Sequence, residues 1–215
     1  MRGLLAAMLA FCCLLPRPLA GQRHTERYDD TFRKYSKRYF GVGFDWRLFK
    51  AQGMTESNLD SAATSWAGAR GVMQLMPSTF ARISSRHPEW DAIDRVEWNI
   101  AAGISHDRAL WRLWRDSVDA EDHADFMFAS YNAGGGTILR AREAARLREL
   151  DPRVWSSVEV VAAEVRRWRH EETLNYVRRI EANLSRMDAR GTVVRTLPVP
   201  QERRSPARTP AASSP

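Results

Sequence analysis

Apolar side chains recur along most of this chain every three or four residues, the spacing that gathers them on one face of a helix. Tyr28, Phe32, Tyr35, Tyr39 and Phe40 predict a lead-in helix that packs on the rest, and Gly41 and Gly43 punctuate its end. Asp45 is placed to cap a second helix through Trp46, Phe49 and Met54, ending near Ser57-Asn58. Asp60 to Gly71 is rich in Ser, Ala, Thr and Gly and reads as a loop. Pro77 suits the first turn of a helix with Phe80 and Ile83 inside. A longer helix carries Ile100, Gly103, Ile104, Leu110, Leu113 and Trp114, and another covers Ala120 to Ala133 with Met127, Phe128 and Tyr131. Gly134-Gly135-Gly136 separates it from a charged helix over Thr137 to Leu150; Asp151-Pro152 starts one more, and 172–188 form the last. Strand-like alternation is missing except for a short extended piece at Val72 to Leu75. The pattern predicts an all-α fold with at most a very short β element.

The two ends break this pattern. Leu4 to Leu15 is an unbroken apolar run of twelve residues between Arg2 and Pro16-Arg17-Pro18. It is too short to cross a bilayer core as a helix. Its basic start and the small residues at Leu19-Ala20-Gly21 predict an export signal over residues 1–20, and no stable membrane insertion. Cys12 and Cys13 both lie in that run, so the processed chain is expected to carry neither disulfide nor thiolate-bound metal. Lipid attachment at Cys12 is the weaker alternative, because Phe11 stands where a small residue is wanted. After Gly191, five prolines fall within 25 residues, which predicts a disordered Pro/Arg-rich tail over 191–215. One domain over 28–190 is left, and 44% aliphatic and aromatic content is enough to build its core.

Charge changes the picture only at first sight. The formal net charge is +7. Arg2 and Arg17 leave with the signal, and the tail holds Arg195, Arg203, Arg204 and Arg208 against Glu202, so residues 21–190 retain +2. That balance removes the case for a nucleic-acid partner. His24, His87, His106, His123 and His170 are scattered without metal-ligand spacing, and no phosphate-binding glycine loop is present, so neither metal nor cofactor is expected.

The candidate chemistry centres on Glu56. It ends an amphipathic helix behind apolar positions, where partial desolvation disfavours the charged carboxylate and keeps a proton available for a leaving oxygen. Alone, a Glu at a helix end is usually a solvated surface residue. Its surroundings raise its standing: Glu56-Ser57, Ala62, Ser65, Gly68-Ala69 and Gly71-Val72-Met73-Gln74-Leu75-Met76-Pro77 are followed by Asn99-Ile100 with Gly103, Ala129-Ser130-Tyr131-Asn132-Ala133-Gly134, and Glu172-Thr173-Leu174-Asn175-Tyr176-Val177.

In order and spacing these four motifs, spread over about residues 44 to 182, resemble the Slt-type lytic transglycosylases, relatives of goose-type lysozymes. The resemblance implies a lysozyme-like catalytic domain with a substrate cleft, exported to the periplasm or cell envelope and acting on peptidoglycan glycan strands. Glu56 would protonate the oxygen between N-acetylmuramic acid and N-acetylglucosamine, then take the proton of the C6 hydroxyl as it attacks C1, leaving a 1,6-anhydro sugar. Ser65, Gln74 and Tyr131 would line the cleft and Met76 would give it an apolar wall. Asn132, Glu172 and Tyr176 match the remaining positions around the site, and Trp66 is the best candidate for stacking on a sugar. His106 stands where the family often has Tyr, and Gly135 where Pro is common.

Each assignment has a plainer counterpart: Gln74 as a loop amide, Tyr131 and Tyr176 as core aromatics, Met76 as filler. Only Asp60 accompanies Glu56 within its motif, whereas most glycosidases use two carboxylates. A lone Glu favours substrate-assisted cleavage over a water-using muramidase, and an intact acid disfavours an idle wall-binding module. A role beside an envelope secretion or conjugation apparatus is compatible with the chain's small size.

Overall fold

The computed structural model describes residues 26–193. Both the signal and Cys12 at the start and most of the Pro/Arg-rich tail lie outside the described residues. Within them the chain is all-α: α1 (Asp29–Phe40), α2 (Arg47–Ser57), α3 (Pro77–Ser84), α4 (Val96–Trp114), α5 (His123–Ala133), α6 (Gly135–Leu147), α7 (Trp155–Val161), a 3₁₀ turn (Ala162–Glu164) and α8 (His170–Ser185). β structure among the described residues is limited to isolated bridges, Thr64 with Arg70, Arg70 with Leu75, and Met187 with Val193.

The longest helix is the centre of the molecule. Ile100, Ala101, Ala102, Ile104 and Trp114 of α4 are fully buried, which gives it contacts on several sides. It packs against α1, α3 and α5, while α8 lies across both α2 and α5. The lead-in helix docks as its pattern predicts, with Phe32 and Tyr35 in the core. A helix covered on several sides must have small or apolar residues all round, and Ala101, Ala102 and Gly103 supply them.

Three local expectations are corrected. Val72 to Gln74 is a turn, not an extended piece, because Gly71 (φ 75°) and Gln74 (φ 42°) both take left-handed backbone, and only Leu75 joins a bridge. The helix expected at Asp151-Pro152 starts at Trp155. Asp151 turns its carboxylate onto the Arg153 N–H (2.9 Å), and the Asp122 carboxylate of another segment accepts from the Trp155 N–H (3.2 Å). The helix drawn from Ala120 begins at His123, after a turn closed by Asp122 N–H on the Asp119 carbonyl. Asp45 does serve the start of α2, its carboxylate accepting from the Arg47 N–H at 3.0 Å.

Candidate active site

Glu56 sits in the last turn of α2, which stops where Asn58 and Leu59 turn left-handed (φ 54° and 62°). Asn tolerates this conformation better than most residues. Ending there leaves Glu56 and Ser57 facing the loop 60–76 from the end of a rigid helix.

Side chains from three other elements bind that loop. Asn99 of α4 is buried and makes three bonds: its Oδ1 accepts from Met73 N–H (2.8 Å), and its Nδ2 donates to the carbonyls of Arg70 (2.9 Å) and Ile93 (3.1 Å). Ser57 Oγ donates to the Val72 carbonyl (2.9 Å), and Tyr131 from α5 donates to the Met73 carbonyl (2.8 Å). Gly71 and Gly103 are required by this closeness. A Cβ on Gly71 would stand 2.6 Å from Asn99 Nδ2, and one on Gly103 would stand 2.8 Å from Met73 Cβ. The Asn-Ile-x-x-Gly pattern therefore has a local physical meaning, a clamp and a seat for the loop beside Glu56.

The carboxyl of Glu56 lies in a poorly solvated place, and burial pushes its pKa up from 4.5 to about 7. Two effects work the other way: Tyr176 of α8 donates its hydroxyl to Glu56 Oε1 at 2.6 Å, and the Arg179 charge favours the anion. Desolvation wins, so near neutral pH the group is divided between acid and base. This is the condition for a residue that must first give and then take a proton. The Tyr131 and Tyr176 hydroxyls are pushed well above the ordinary tyrosine range by burial first and then by the nearby Glu56 charge, so both remain protonated donors.

The other anticipated residues take different places. Tyr176 and Tyr131 flank Glu56 from α8 and α5. Gln74 uses its amide nitrogen on the carbonyls of Ala63 (3.2 Å) and Gly71 (2.9 Å), and Ser65 Oγ accepts from Ala69 N–H (3.0 Å), so both tie down the loop. Met76 (41% exposed) and Trp66 (93% exposed) project from the same loop into solvent. Asn132 is exposed, its Oδ1 accepting from Thr173 Oγ1 (2.8 Å), which in turn accepts from Trp168 Nε1 (2.9 Å). Glu172 lies near the start of α8. It is exposed, pairs with Arg169 (3.0 Å), and lines a surface groove of about 520 Å³ together with Asn175, Arg178, Arg179 and Ala182.

Sequence reasoning missed Asp107 and Gln52. Asp107 lies fully buried on α4 close enough to Glu56 for their charges to interact, and Gln52 Nε2 donates to its Oδ1 at 3.3 Å. A signal existed: Asp107 falls on the stripe of Ile100, Gly103, Ile104 and Leu110, an acid where the helix period demands an apolar residue. Asp60, the acid that was noticed, is exposed and accepts from Ala62 N–H. His106 packs its ring 5.2 Å from that of Tyr131, and burial pulls its pKa down to about 4, so it is neutral at physiological pH. Among the described residues no group of three or more His, Cys, Asp or Glu is placed to hold a metal ion.

Comparison with known proteins fits this geometry. The family model described as transglycosylase SLT domain matches residues 30–152. The membrane-bound lytic murein transglycosylase F of Stutzerimonas stutzeri is 30% identical over 73% of this chain and 31% of its own length. Its namesake in Desulfosudis oleivorans is 32% identical over 65% of this chain and 30% of its own. The chain therefore spans about a third of the length of these relatives. The 70 kDa soluble lytic transglycosylase of Escherichia coli superposes with a TM-score of 0.53 at 23% identity, covering 73% of this chain and 24% of that one, a likeness of lysozyme-like fold.

Proposed function

Because the chain belongs to the transglycosylase SLT domain family, we propose that it is a peptidoglycan lytic transglycosylase, cutting between N-acetylmuramic acid and N-acetylglucosamine without consuming water. The neutral Glu56 gives its proton to the bridging oxygen as the C1–O bond breaks. The resulting carboxylate then takes the proton of the C6 hydroxyl while that oxygen bonds to C1, which closes the 1,6-anhydro ring and restores the acid. The Tyr176 hydroxyl, bonded to Oε1, steadies the anion between the two steps.

One observation carries this reading: the Glu56 carboxyl is poised near pH 7, and Asp107, the carboxyl that interacts with it among the described residues, is sealed in the core. Asp107 is buried and cannot activate a water on the far face of a sugar, as an inverting hydrolase requires, nor reach C1 as a nucleophile. This arrangement favours substrate assistance. Trp66 stacks on a sugar ring, Met76 forms an apolar wall, and Asn132 contributes its exposed amide. Ser65, Gln74 and Tyr131 act by fixing the loop from which these contacts rise. Glu172 acts at the rim, through Arg169 and the groove along α8. The catalytic unit runs from about 28 to 190, since Tyr176 lies beyond the matched residues 30–152. Residues 1–20 export it to the envelope, where it works alone or beside a secretion or conjugation apparatus.

Mass spectrometry of products from purified sacculi tests the proposal. Muropeptides one water lighter than hydrolysis products, absent with Glu56→Gln, are expected. Products of full hydrolytic mass would make it a muramidase, and binding without any product would make it a wall-binding module.

A further inference from the structure

Beneath Glu56 lies a buried polar pair that its chemistry as acid and base does not use. Gln52 and Asp107 are both fully buried, and one bond joins them, from Gln52 Nε2 to Asp107 Oδ1. The two remaining oxygens, Gln52 Oε1 and Asp107 Oδ2, are buried without a hydrogen-bond partner. If Asp107 were ionised, both would be acceptors with no donor between them, a costly arrangement in a dry core. A proton on Asp107 Oδ2 supplies the missing donor, and the acid and the amide then exchange two bonds. Burial pushes the Asp107 carboxyl well above its ordinary range, and the neighbouring Glu56 charge adds to this.

Gln52 precedes Glu56 by four residues on α2, so the two side chains share a face of the helix and lie within reach of each other. A carboxamide released there would donate to the Glu56 carboxylate and stabilise its charged form. The other groups facing Glu56 are Tyr176 and Arg179 from α8, Tyr131 from α5 and Asp107 from α4. Tyr176 and Arg179 already favour the anion. A further donor would push Glu56 toward permanent ionisation and deprive it of the proton it must give.

We propose that Asp107 is a positioning residue for Glu56: as a neutral carboxylic acid it engages both ends of the Gln52 amide and holds that amide off the Glu56 carboxylate. This rests on the reading of Glu56 as the acid, but its test needs no catalysis. The Glu56 and Asp107 side-chain carboxyls are followed by carbon-13 NMR across pH in the full-length protein and its variants. In the wild type, Asp107 is expected to stay protonated throughout the titration of Glu56. Asp107→Leu frees Gln52 and lowers the Glu56 midpoint by about one unit. Asp107→Asn still accepts from Gln52 and leaves the midpoint in place, and the double variant Gln52→Leu with Asp107→Leu restores it.

Different results overturn the proposal in distinguishable ways. A midpoint that falls in Asp107→Asn, and stays low in the double variant, means that Asp107 is charged. A midpoint unmoved in Asp107→Leu means that the pair only fills space. Should Asp107→Leu fail to fold, the wild-type titration decides, since an Asp107 carboxyl that ionises before or together with Glu56 sinks the idea. If sacculi are not cleaved but these shifts appear, the function is at fault and the positioning role stands.

Discussion

At the scale of single residues, the fate of Glu56 is a contest between desolvation and two favourable partners. Removing the Tyr176 hydroxyl takes away one bond to the charged form, so the Glu56 pKa should rise above about 7. In Tyr176→Phe the alkaline limb of the rate profile is expected to move up by as much as about one unit, with a lower maximum, as read from clearing of sacculi across pH. The same raised pKa has a cost in stability. The folded protein binds the Glu56 proton up to about pH 7, the unfolded chain only to about 4.5. Stability therefore falls as pH rises through that window and levels off above it. Glu56→Gln has no charge to bury, so it should match the wild type near pH 4 and exceed it by up to about 3 kcal/mol at pH 8. Urea unfolding at the two pH values checks this.

At the scale of elements, the loop 60–76 is rigid because α4 and α5 hold it. Asn99→Ala removes three bonds at once and leaves the Met73 N–H and the Arg70 carbonyl without their side-chain partner. A loss of about 3 kcal/mol in denaturant unfolding is expected, with activity falling further than stability because Met76 and Trp66 lose their platform. The elements were largely legible, since α1, α2, α3, α4 and α8 announce themselves by apolar spacing or a helix-start proline. What the period could not show was the turn at Val72 to Gln74, whose apolar letters look like a strand until the left-handed Gly71 and Gln74 bend it. Nor could it show where α7 starts, which Asp122 fixes from a distant stretch of chain. Glu56, Tyr131 and Tyr176 were legible as a set only through their motif order. The period places Asp107 on the inner stripe of α4, but its partner Gln52 and its closeness to Glu56 depend on how α2 packs there, which no spacing shows.

At the scale of the whole molecule, the two ends of the described chain meet at a single buried cation. Lys50 is fully inaccessible, pairs with Asp29 of α1 at 2.6 Å and donates to the Gly191 carbonyl at 2.7 Å. Lys50→Ala would leave the nearly buried Asp29 carboxylate with only the longer contact to Arg33 (4.0 Å), and breaking such a buried pair typically costs about 3–5 kcal/mol. A fall in Tm of roughly 10 °C is expected by calorimetry at neutral pH. Glu56 stands only six residues beyond Lys50 on α2, so loosening this tie should also broaden the pH profile of the site.

The bond from Tyr176 to Glu56 joins residues 120 apart in sequence. A chain still emerging from a ribosome presents its acid long before the helix that carries Tyr176 exists. Such a fragment carries an ordinary solvated glutamate, fully ionised at neutral pH and with no proton to give. The wall-cutting chemistry proposed for this protein is thereby tied to the order of synthesis: the site around Glu56 is incomplete until α8 arrives and Tyr176 closes on it.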